Sequence, residues 1–224
     1  MAANFTPSQA MDFAKRFIGN APLGDSALEL RVLNSAANLI HTAAAWRWSV
    51  GALAAEAVVN DQKDYDFTDP TDLLYLLPSK LIYSDGHLDV LNPIAVIANE
   101  TTTKGVPNQI SLVDADTFRI FPTPSGLSSP LPNIYVLYKK KNTVITAGNK
   151  GTAATLLFPD EWFFVFEQAC LVFAYNFIND PRGGNVGFSQ GQASYSGQWG
   201  VVMGLIGYMI EREKPFIVDG AVGL

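Results

Sequence analysis

The fold is decided by WFFVFEQACLVFAYNFI, residues 162–178, in which nearly every position is apolar. This pattern predicts a helix that is buried on all sides, and such a helix belongs at the centre of a helical bundle. Pro159, Asp160 and Glu161 come just before it and place a proline and two acids in the first turn, where the helix dipole favours them. The sequence NDPRGGNVG, residues 179–187, ends the helix.

The same stretch is not expected to cross a membrane, because Glu167, Gln168 and Asn176 interrupt it. It also contains the single cysteine, Cys170, whose apolar surroundings predict an unreactive buried thiol. Such a thiol is typical of a protein made in a reducing cytoplasm. The N-terminus lacks the basic and apolar regions of a signal peptide, so we expect a soluble, non-secreted protein with no membrane partner.

Two helices are expected ahead of this one. Residues 6–9, TPSQ, have the pattern of a capping box with proline at the first helical position, and Gly19 supplies the stop. Residues 26–29, SALE, predict a second capping box, and the second helix should end near Trp46. Its apolar stripe consists of Leu28, Val32, Ala36, Ile40 and Ala43.

Between about residues 50 and 150 apolar residues recur at every second position, which predicts short strands. Asp85-Gly86 separates two such runs and is a strong hairpin signal. Several short strands with turn sequences between them predict an antiparallel β-sandwich or a small barrel.

A final helix is predicted from about Ser189 to Glu213. It contains four glycines, and because glycine otherwise destabilises a helix interior, they suggest close helix packing, with flexibility as the alternative. These glycines are Gly197, Gly200, Gly204 and Gly207. Residues 215–224, PFIVDGAVGL, follow as an apolar tail.

The predicted fold class is therefore α+β. A helical bundle of two N-terminal and two C-terminal helices carries an inserted antiparallel β-sandwich or small barrel and an extended C-terminal tail. The expected boundaries are 1–49 for the N-terminal part of the bundle, 50–151 for the inserted β domain, 152–214 for the C-terminal part of the bundle and 215–224 for the tail.

The chain is apolar and weakly charged: of its 224 residues 48% are hydrophobic and 16% charged. It is long enough to form a core without disulfides or metals, and its surplus of apolar residues favours contacts with partners. The net charge of −6 argues against a dedicated DNA-binding or anionic-membrane protein. We interpret the one dense basic run, residues 139–141, as a solvated strand end and not as a phosphate site.

The strongest resemblance to a catalytic motif is GFSQG, residues 187–191, which satisfies the G-x-S-x-G pattern of serine hydrolases. That motif needs a strand before the serine and an acid and a histidine to complete the triad. No strand is predicted before Ser189, Asp219 is the main downstream aspartate, and the two histidines, His41 and His87, both lie upstream. A serine hydrolase is therefore a distant third hypothesis, and we expect no enzymatic activity.

Metal and cofactor sites are not expected either. Two isolated histidines and one cysteine do not provide the ligand spacing of a zinc site. Asp61, Asp64 and Asp66 begin like a calcium-binding loop, but the glycine and glutamate that complete such a loop are missing, which favours a polar turn. The chain also lacks the glycine-rich motifs that bind nucleotides.

The aromatic residues leave a different class of function open. β-Sandwiches can carry sugar-stacking side chains, so a β-sandwich receptor- or glycan-binding module is the second hypothesis. Trp46 and Trp48, however, lie where a helix passes into a strand, and their spacing on one face is typical of a core.

Several short pieces, in order along the chain, resemble the head-to-tail adaptor proteins of tailed bacteriophages, the tail tubular protein A-like or connector-ring family. The pieces are WRW at 46–48, LYLLP at 74–78, GVPN at 105–108, IFPTP at 120–124 and LFPDEW at 157–162. The resemblance covers nearly the whole chain.

The resemblance implies a structural virion protein located in the neck, between capsid and tail, and synthesised in the host bacterial cytoplasm. Such a protein would form a homo-oligomeric ring of about twelve copies, held by a head-to-tail interface that closes by rotation. Its partners would be the portal protein and a downstream tail or nozzle protein, and double-stranded DNA would pass through its lumen. A net negative charge suits that passage, since phosphate contacts dominate affinity for DNA.

Two segments are candidate contact sites. The resemblance implies that the C-terminus reaches into the portal, as it commonly does in such adaptors, and by position and apolarity the tail would be the corresponding segment here. Its portal-docking residues would be Pro215, Phe216, Ile217, Val218 and Leu224.

The second candidate is the connection at residues 122–132, which has prolines at both ends. Proline favours an extended conformation in the residue before it, so we expect an arch with stiff legs and a pliant middle. It would contact a neighbouring subunit or the next tail component. Its contact residues would be Pro122, Pro124, Ser125, Gly126, Leu127, Pro130 and Pro132.

Overall fold

The computed structural model describes residues 4–19, 25–68, 70–95, 103–189 and 192–214. In these residues the protein is α+β, with four α-helices and a nearly closed β-barrel. They divide into two compact units. The helical unit contains the described residues up to 49 and from 142 onward, and the β unit contains those from 50 to 141.

The helical unit is organised around the helix predicted at residues 162–178. Its helices are α1 (Pro7–Ile18), α2 (Ser26–Ala43), α3 (Phe163–Phe177) and α4 (Gly197–Glu213). A 3-10 turn at Asp160–Trp162 leads into α3, which packs against α1, α2 and α4. The buried helix is thus confirmed. Its fully buried side chains include Val165, Phe166, Ala169, Cys170, Val172 and Ala174.

The two predicted capping boxes have different outcomes. At α1 the prediction is confirmed, since the Thr6 N–H donates to Gln9 Oε1 at 2.8 Å. At α2 it is wrong, because the N-cap is Asp25, whose carboxylate accepts from the Ala27 N–H at 2.8 Å. Ser26 is the first helical residue.

Glu29, which was expected to close the second box, lies instead between two lysines. It accepts hydrogen bonds from Lys15 on α1 and from Lys150, the latter at 2.8 Å. Burial raises the pKa of the Glu29 carboxyl, but the hydrogen bonds and charges of the two lysines outweigh it, so the pKa lies below its ordinary value. The contact joins three separate segments of the helical unit.

Twelve short strands form the β unit. The first six are β1 (Val50–Ala52), β2 (Glu56–Ala57), β3 (Asp64–Asp66), β4 (Leu73–Leu76), β5 (Ser79–Ile82) and β6 (Leu88–Pro93). The others are β7 (Lys104–Gly105), β8 (Gln109–Leu112), β9 (Thr117–Phe121), β10 (Thr123–Pro124), β11 (Asn133–Tyr135) and β12 (Leu137–Lys140). Seven strands pair in the order β2-β11-β5-β6-β8-β9-β3, and three in the order β1-β12-β4.

Most pairings are antiparallel, as the hairpin signals predict, and the Asp85-Gly86 hairpin between β5 and β6 is confirmed. The exceptions are β6 with β8 and β7 with β10, which are parallel. Inward and outward side chains alternate clearly in β9, where Phe118 and Ile120 are buried and the other three residues are only partly buried. The Phe118 ring stacks on Tyr65 with a centroid distance of 5.4 Å.

Residues 142–151 belong to the helical unit, although the expected β boundary lies at 151. Asn34 on α2 explains this, because its side chain donates to the Ile145 carbonyl oxygen at 2.8 Å and accepts from the Ile145 N–H at 2.9 Å. The Ser8 N–H also donates to the Lys150 carbonyl oxygen at 2.9 Å. After β12 the segment no longer alternates between apolar and polar residues, and hydrogen bonds attach it to the helices.

The last helix begins later than predicted. The strands β13 (Val186–Ser189) and β14 (Gln192–Tyr195) pair as a hairpin, and α4 starts at Gly197. Gly197 has φ +59°, and a methyl group there would lie 2.8 Å from the Cα of Gly184. Among the described residues, a methyl group on Gly204 or Gly207 would meet no atom within 4 Å, so the predicted close packing is wrong for these two.

The cap of α2 can be tested with neighbouring residues. Asp25→Ala should lower the free energy of unfolding by about 1 kcal/mol, because it removes the acceptor for the Ala27 N–H. Ser26→Ala removes the side chain that the sequence pattern assigns as the cap. It should change the free energy of unfolding by no more than about 0.5 kcal/mol. Chemical denaturation measures both, and a larger loss in Ser26→Ala would contradict the assignment of Asp25 as the cap.

Glu29 should make stability depend on pH in the acid range. Since its folded pKa lies below the unfolded value, its contribution is present above the unfolded pKa and disappears as pH falls through the folded pKa. Glu29→Gln should therefore lose roughly 1 kcal/mol at pH 7, and its stability should fall less than that of the wild type on acidification. Denaturation series between about pH 7 and pH 3 test this, with the exposed Glu211→Gln as control.

Candidate interaction surfaces

The first leg of the arch at residues 122–132 is tied to the β unit. The strand β9 ends at Phe121, as the prolines predict, and β10 then pairs in parallel with β7. The Ser125 N–H donates to the Gly105 carbonyl oxygen at 3.2 Å, and the Asp61 N–H donates to the Pro124 carbonyl oxygen at 2.8 Å. This leg is therefore held by two other segments of the chain.

The second leg and the middle of the arch expose few residues. Pro132 is buried, and its carbonyl oxygen accepts from the Val58 N–H at 2.9 Å. Leu127 packs against the β core. Gly126 and residues 128–130 are exposed, so they are the part of the arch that a partner can reach.

The portal-docking residues proposed for the tail, 215–224, lie outside the described residues. The point from which the tail leaves is defined. The Glu213 carboxylate at the end of α4 accepts from the Trp162 Nε1–H at 2.6 Å, so α4 ends beside the first turn of α3.

The interpretation of the basic run at 139–141 as a solvated strand end is wrong for its first residue. Lys139 is only 1% exposed, since β12 is the middle strand between β1 and β4, and burial lowers its pKa to about 8. Lys140 is half-buried, and Lys141 alone is exposed. The run therefore presents one exposed cation and not a basic patch.

The hydrolase motif lacks its structural context, although one detail of the sequence-based argument is wrong. A strand does lead to Ser189, but the next element is β14, where a nucleophile elbow requires a helix. His41 is buried on α2, and its ring lies edge-on to Trp48. His87 is in the β unit, where its Nε2 lies 3.1 Å from Asp89 Oδ1. Asp219 lies outside the described residues.

The aspartates that begin like a calcium loop have other partners. Asp64 forms a two-point contact with Arg119 at 2.6 and 2.9 Å, and Asp61 pairs with Lys104 at 2.5 Å. Within the part of the chain that the structure describes, no three potential metal ligands cluster. The four helices described also lack the combination of length and apolarity that a bilayer span requires.

The tryptophans are part of the helical core and do not form a sugar-stacking surface. Trp46 is fully buried, donates from Nε1 to the Ile40 carbonyl oxygen at 2.6 Å and stacks on Trp48 with a centroid distance of 5.7 Å. Trp162 is 6% exposed, and Trp199 packs edge-on against Phe173. Trp46 and Trp48 are therefore core residues, as their spacing predicts.

An acidic groove of about 420 Å³ lies between α1 and the N-terminal part of α3. Its aromatic lining includes the stacked rings of Phe5 and Phe163. Phe164, expected in the core, is 41% exposed here. The charged residues that line the groove are Asp12, Asp160, Glu161, Glu167 and Arg16. Burial raises the pKa of Glu167, and the positive charge of Arg16 partly opposes this.

The hairpin at residues 186–195, which we call the arm, carries the most exposed large apolar side chain of the described residues. Phe188 is 80% exposed, and Val186 and Tyr195 on the same hairpin are 41% and 38% exposed. The sequence reasoning missed the arm, because its alternation covers only two apolar positions before the turn. The turn also lacks the Asn-Gly or Asp-Gly signal of a tight hairpin.

A family model described as SU10 adaptor protein matches residues 6–207. The chain belongs to the SU10 adaptor protein family. It is therefore a structural adaptor protein of a bacteriophage, and the resemblance to phage head-to-tail adaptors is confirmed. A search of curated protein sequences found no significant match.

The SU10 adaptor match covers the arch, the arm and both units, and it ends within α4. It does not reach the tail at 215–224. Family membership therefore supports the adaptor role of the chain as a whole, whereas the portal contact of the tail rests on position and apolarity alone.

The arch can be tested by exchanging its exposed middle. Replacing residues 125–129 by an unrelated flexible loop of equal length should impair assembly, while β9 and β11 keep their pairing and the melting temperature changes little. Particle imaging and thermal melting measure the two effects. Unchanged assembly would show that no partner depends on the arch, and a large loss of stability would show that Leu127 is needed mainly for the β core.

Proposed function

We propose that this SU10 adaptor family protein forms a closed homo-oligomeric ring in the neck of the virion, where it joins the portal to the tail and continues the DNA channel. The family match over residues 6–207 is the observation that carries the proposal. Following the resemblance, the ring has about twelve copies, related by a head-to-tail interface that closes by rotation. Each copy contributes a helical bundle and the inserted β domain.

The chemistry of the described surface supports a role in contacts. Exposed apolar side chains occur on both units, among them Phe188 and Val201 on the helical unit and Leu74 and Tyr75 on the β unit. Contiguous apolar surface on a protein is typically covered by a partner. A ring would cover such surface on every copy.

The charge of the chain supports passage of DNA. The net charge is −6 with a sequence pI of about 4.8, so a lumen of average composition repels the phosphate backbone. The basic run offers one exposed lysine, Lys141, and does not form a phosphate-binding patch. DNA in such a channel slides without being retained.

In this proposal the tail at 215–224 docks into the portal and the arch contacts a neighbouring subunit or the downstream tail or nozzle protein. The tail leaves α4 beside Trp162, and its first four residues, PFIV, are apolar. Assembly takes place after synthesis in the host bacterial cytoplasm. The buried tryptophans and the missing elbow helix leave no observation that favours a glycan-binding module or a hydrolase.

Imaging of the purified protein, alone and mixed with its portal, tests the proposal. Full-length protein should form closed rings that dock on portals. Deletion of residues 215–224 should leave the melting temperature unchanged and abolish docking, because the apolar contact is lost. A variant with a Gly/Ser segment of equal length in place of the tail separates the loss of apolar residues from the loss of length.

Two outcomes would contradict the proposal. Persistent monomers that ignore portals would overturn the ring. Unfolding of the shortened chain would show that the tail belongs to the core and not to the portal contact.

A further inference from the structure

We propose that the apolar face of the arm at residues 186–195 binds a second copy of this chain. The proposal rests on the ring described above and names the surface by which one copy holds the next. It is carried by the geometry of the hairpin, by the exposure of its side chains and by the distribution of charge around it.

The pairing register divides the arm into two different faces. Val186 pairs with Tyr195 and Phe188 pairs with Ala193, so these four side chains lie on one face. The Gly187–Ser194 pair and Gln192 belong to the other face. One face of the arm is therefore apolar, and the other carries small and polar residues.

The base of the arm is fixed. The Ser196 N–H donates to the Asn185 carbonyl oxygen at 3.0 Å, and the Asn185 N–H donates to Ser196 Oγ at 3.0 Å. Gly184 and Gly197 approach so closely that a methyl group on Gly197 would lie 2.8 Å from the Gly184 Cα. The arm thus has a defined direction, which lowers the entropic cost of binding.

The arm does not bury its apolar face within its own unit. Phe188 is 80% exposed and all four residues of β14 are exposed. A two-stranded hairpin is marginally stable in water unless it packs on something else. A partner that covers this face would supply the missing packing.

The exposed area fits the centre of a protein interface. With full side-chain areas of about 150–250 Å², the exposed fractions of Phe188, Val186 and Tyr195 amount to roughly 300 Å². A stable interface buries about 800 Å² on each partner, and its centre is apolar and rich in aromatic residues. The face is large enough for that centre.

The charge distribution favours a second copy as the occupant. No charged residue occurs between Arg182 and Glu211, whereas the whole chain carries −6. Copies of an acidic protein repel each other, so a surface without like charges lowers the cost of self-association. A cationic foreign partner would be attracted more strongly by the acidic groove at α1 and α3 than by this neutral face.

The experiment compares one added charge on the two faces of the same hairpin. Phe188→Asp and Ala193→Asp place it on the apolar face, and Gln192→Asp places it on the other. Mass photometry across a concentration series gives the concentration of half-assembly. We expect it to rise at least about tenfold for the first two variants and less than about threefold for Gln192→Asp. Circular dichroism and thermal melting confirm that each variant is folded.

Each other outcome overturns the inference. Assembly of Phe188→Asp and Ala193→Asp at wild-type concentrations means that the arm is outside the interface, while the proposed ring itself stands. Rings that form normally but no longer bind portal or tail protein assign the arm to that partner. Equal damage by Gln192→Asp means that the apolar face is not what is recognised. Assembly of the wild-type protein is measured first. If the wild type never assembles, both the ring and the arm contact are overturned.

Discussion

The burial of α3 is the constraint on which the helical unit depends. A helix that is apolar on nearly all sides is stable in water only when other helices cover it, and here α1, α2 and α4 do so. Two of these helices precede the β unit in sequence and one follows it. Because helices from both sides of residues 50–141 pack on α3, the chain leaves the helical unit at residue 50 and returns to it at residue 142. The β unit is therefore an insertion in the helical unit.

The elements that were predictable from sequence are those with long, regular periods. The stripe of α2 is an example, since Val32, Ala36 and Ile40 are fully buried, although Ala43 at its end is exposed. Short-range signals were less reliable, because neighbouring residues can perform the same role: Asp25 and Ser26 can both accept a hydrogen bond from the first turn, and only the structure shows that Asp25 does so.

Other features depend on contacts between distant residues, and no local pattern reveals them. Lys139 is buried because β12 has a neighbouring strand on each side, and those strands come from residues 50–52 and 73–76. The assignment of residues 142–151 to the helical unit depends on Asn34, more than a hundred residues earlier in the chain. The arm was missed for a different reason, since Val186 and Phe188 alone are too few to establish a period of two.

The candidate contact segments differ in chemistry, and this difference has a physical basis. A protein that holds copies of itself and also foreign partners must distinguish them, and like charge is an effective means of exclusion. The neutral arm lacks the charge that would repel another copy, whereas the groove at α1 and α3 carries four acids against one arginine. The acids make that groove a poor contact for an acidic copy. In the proposed ring, this distribution of charge would favour self-association through the arm over self-association through the groove.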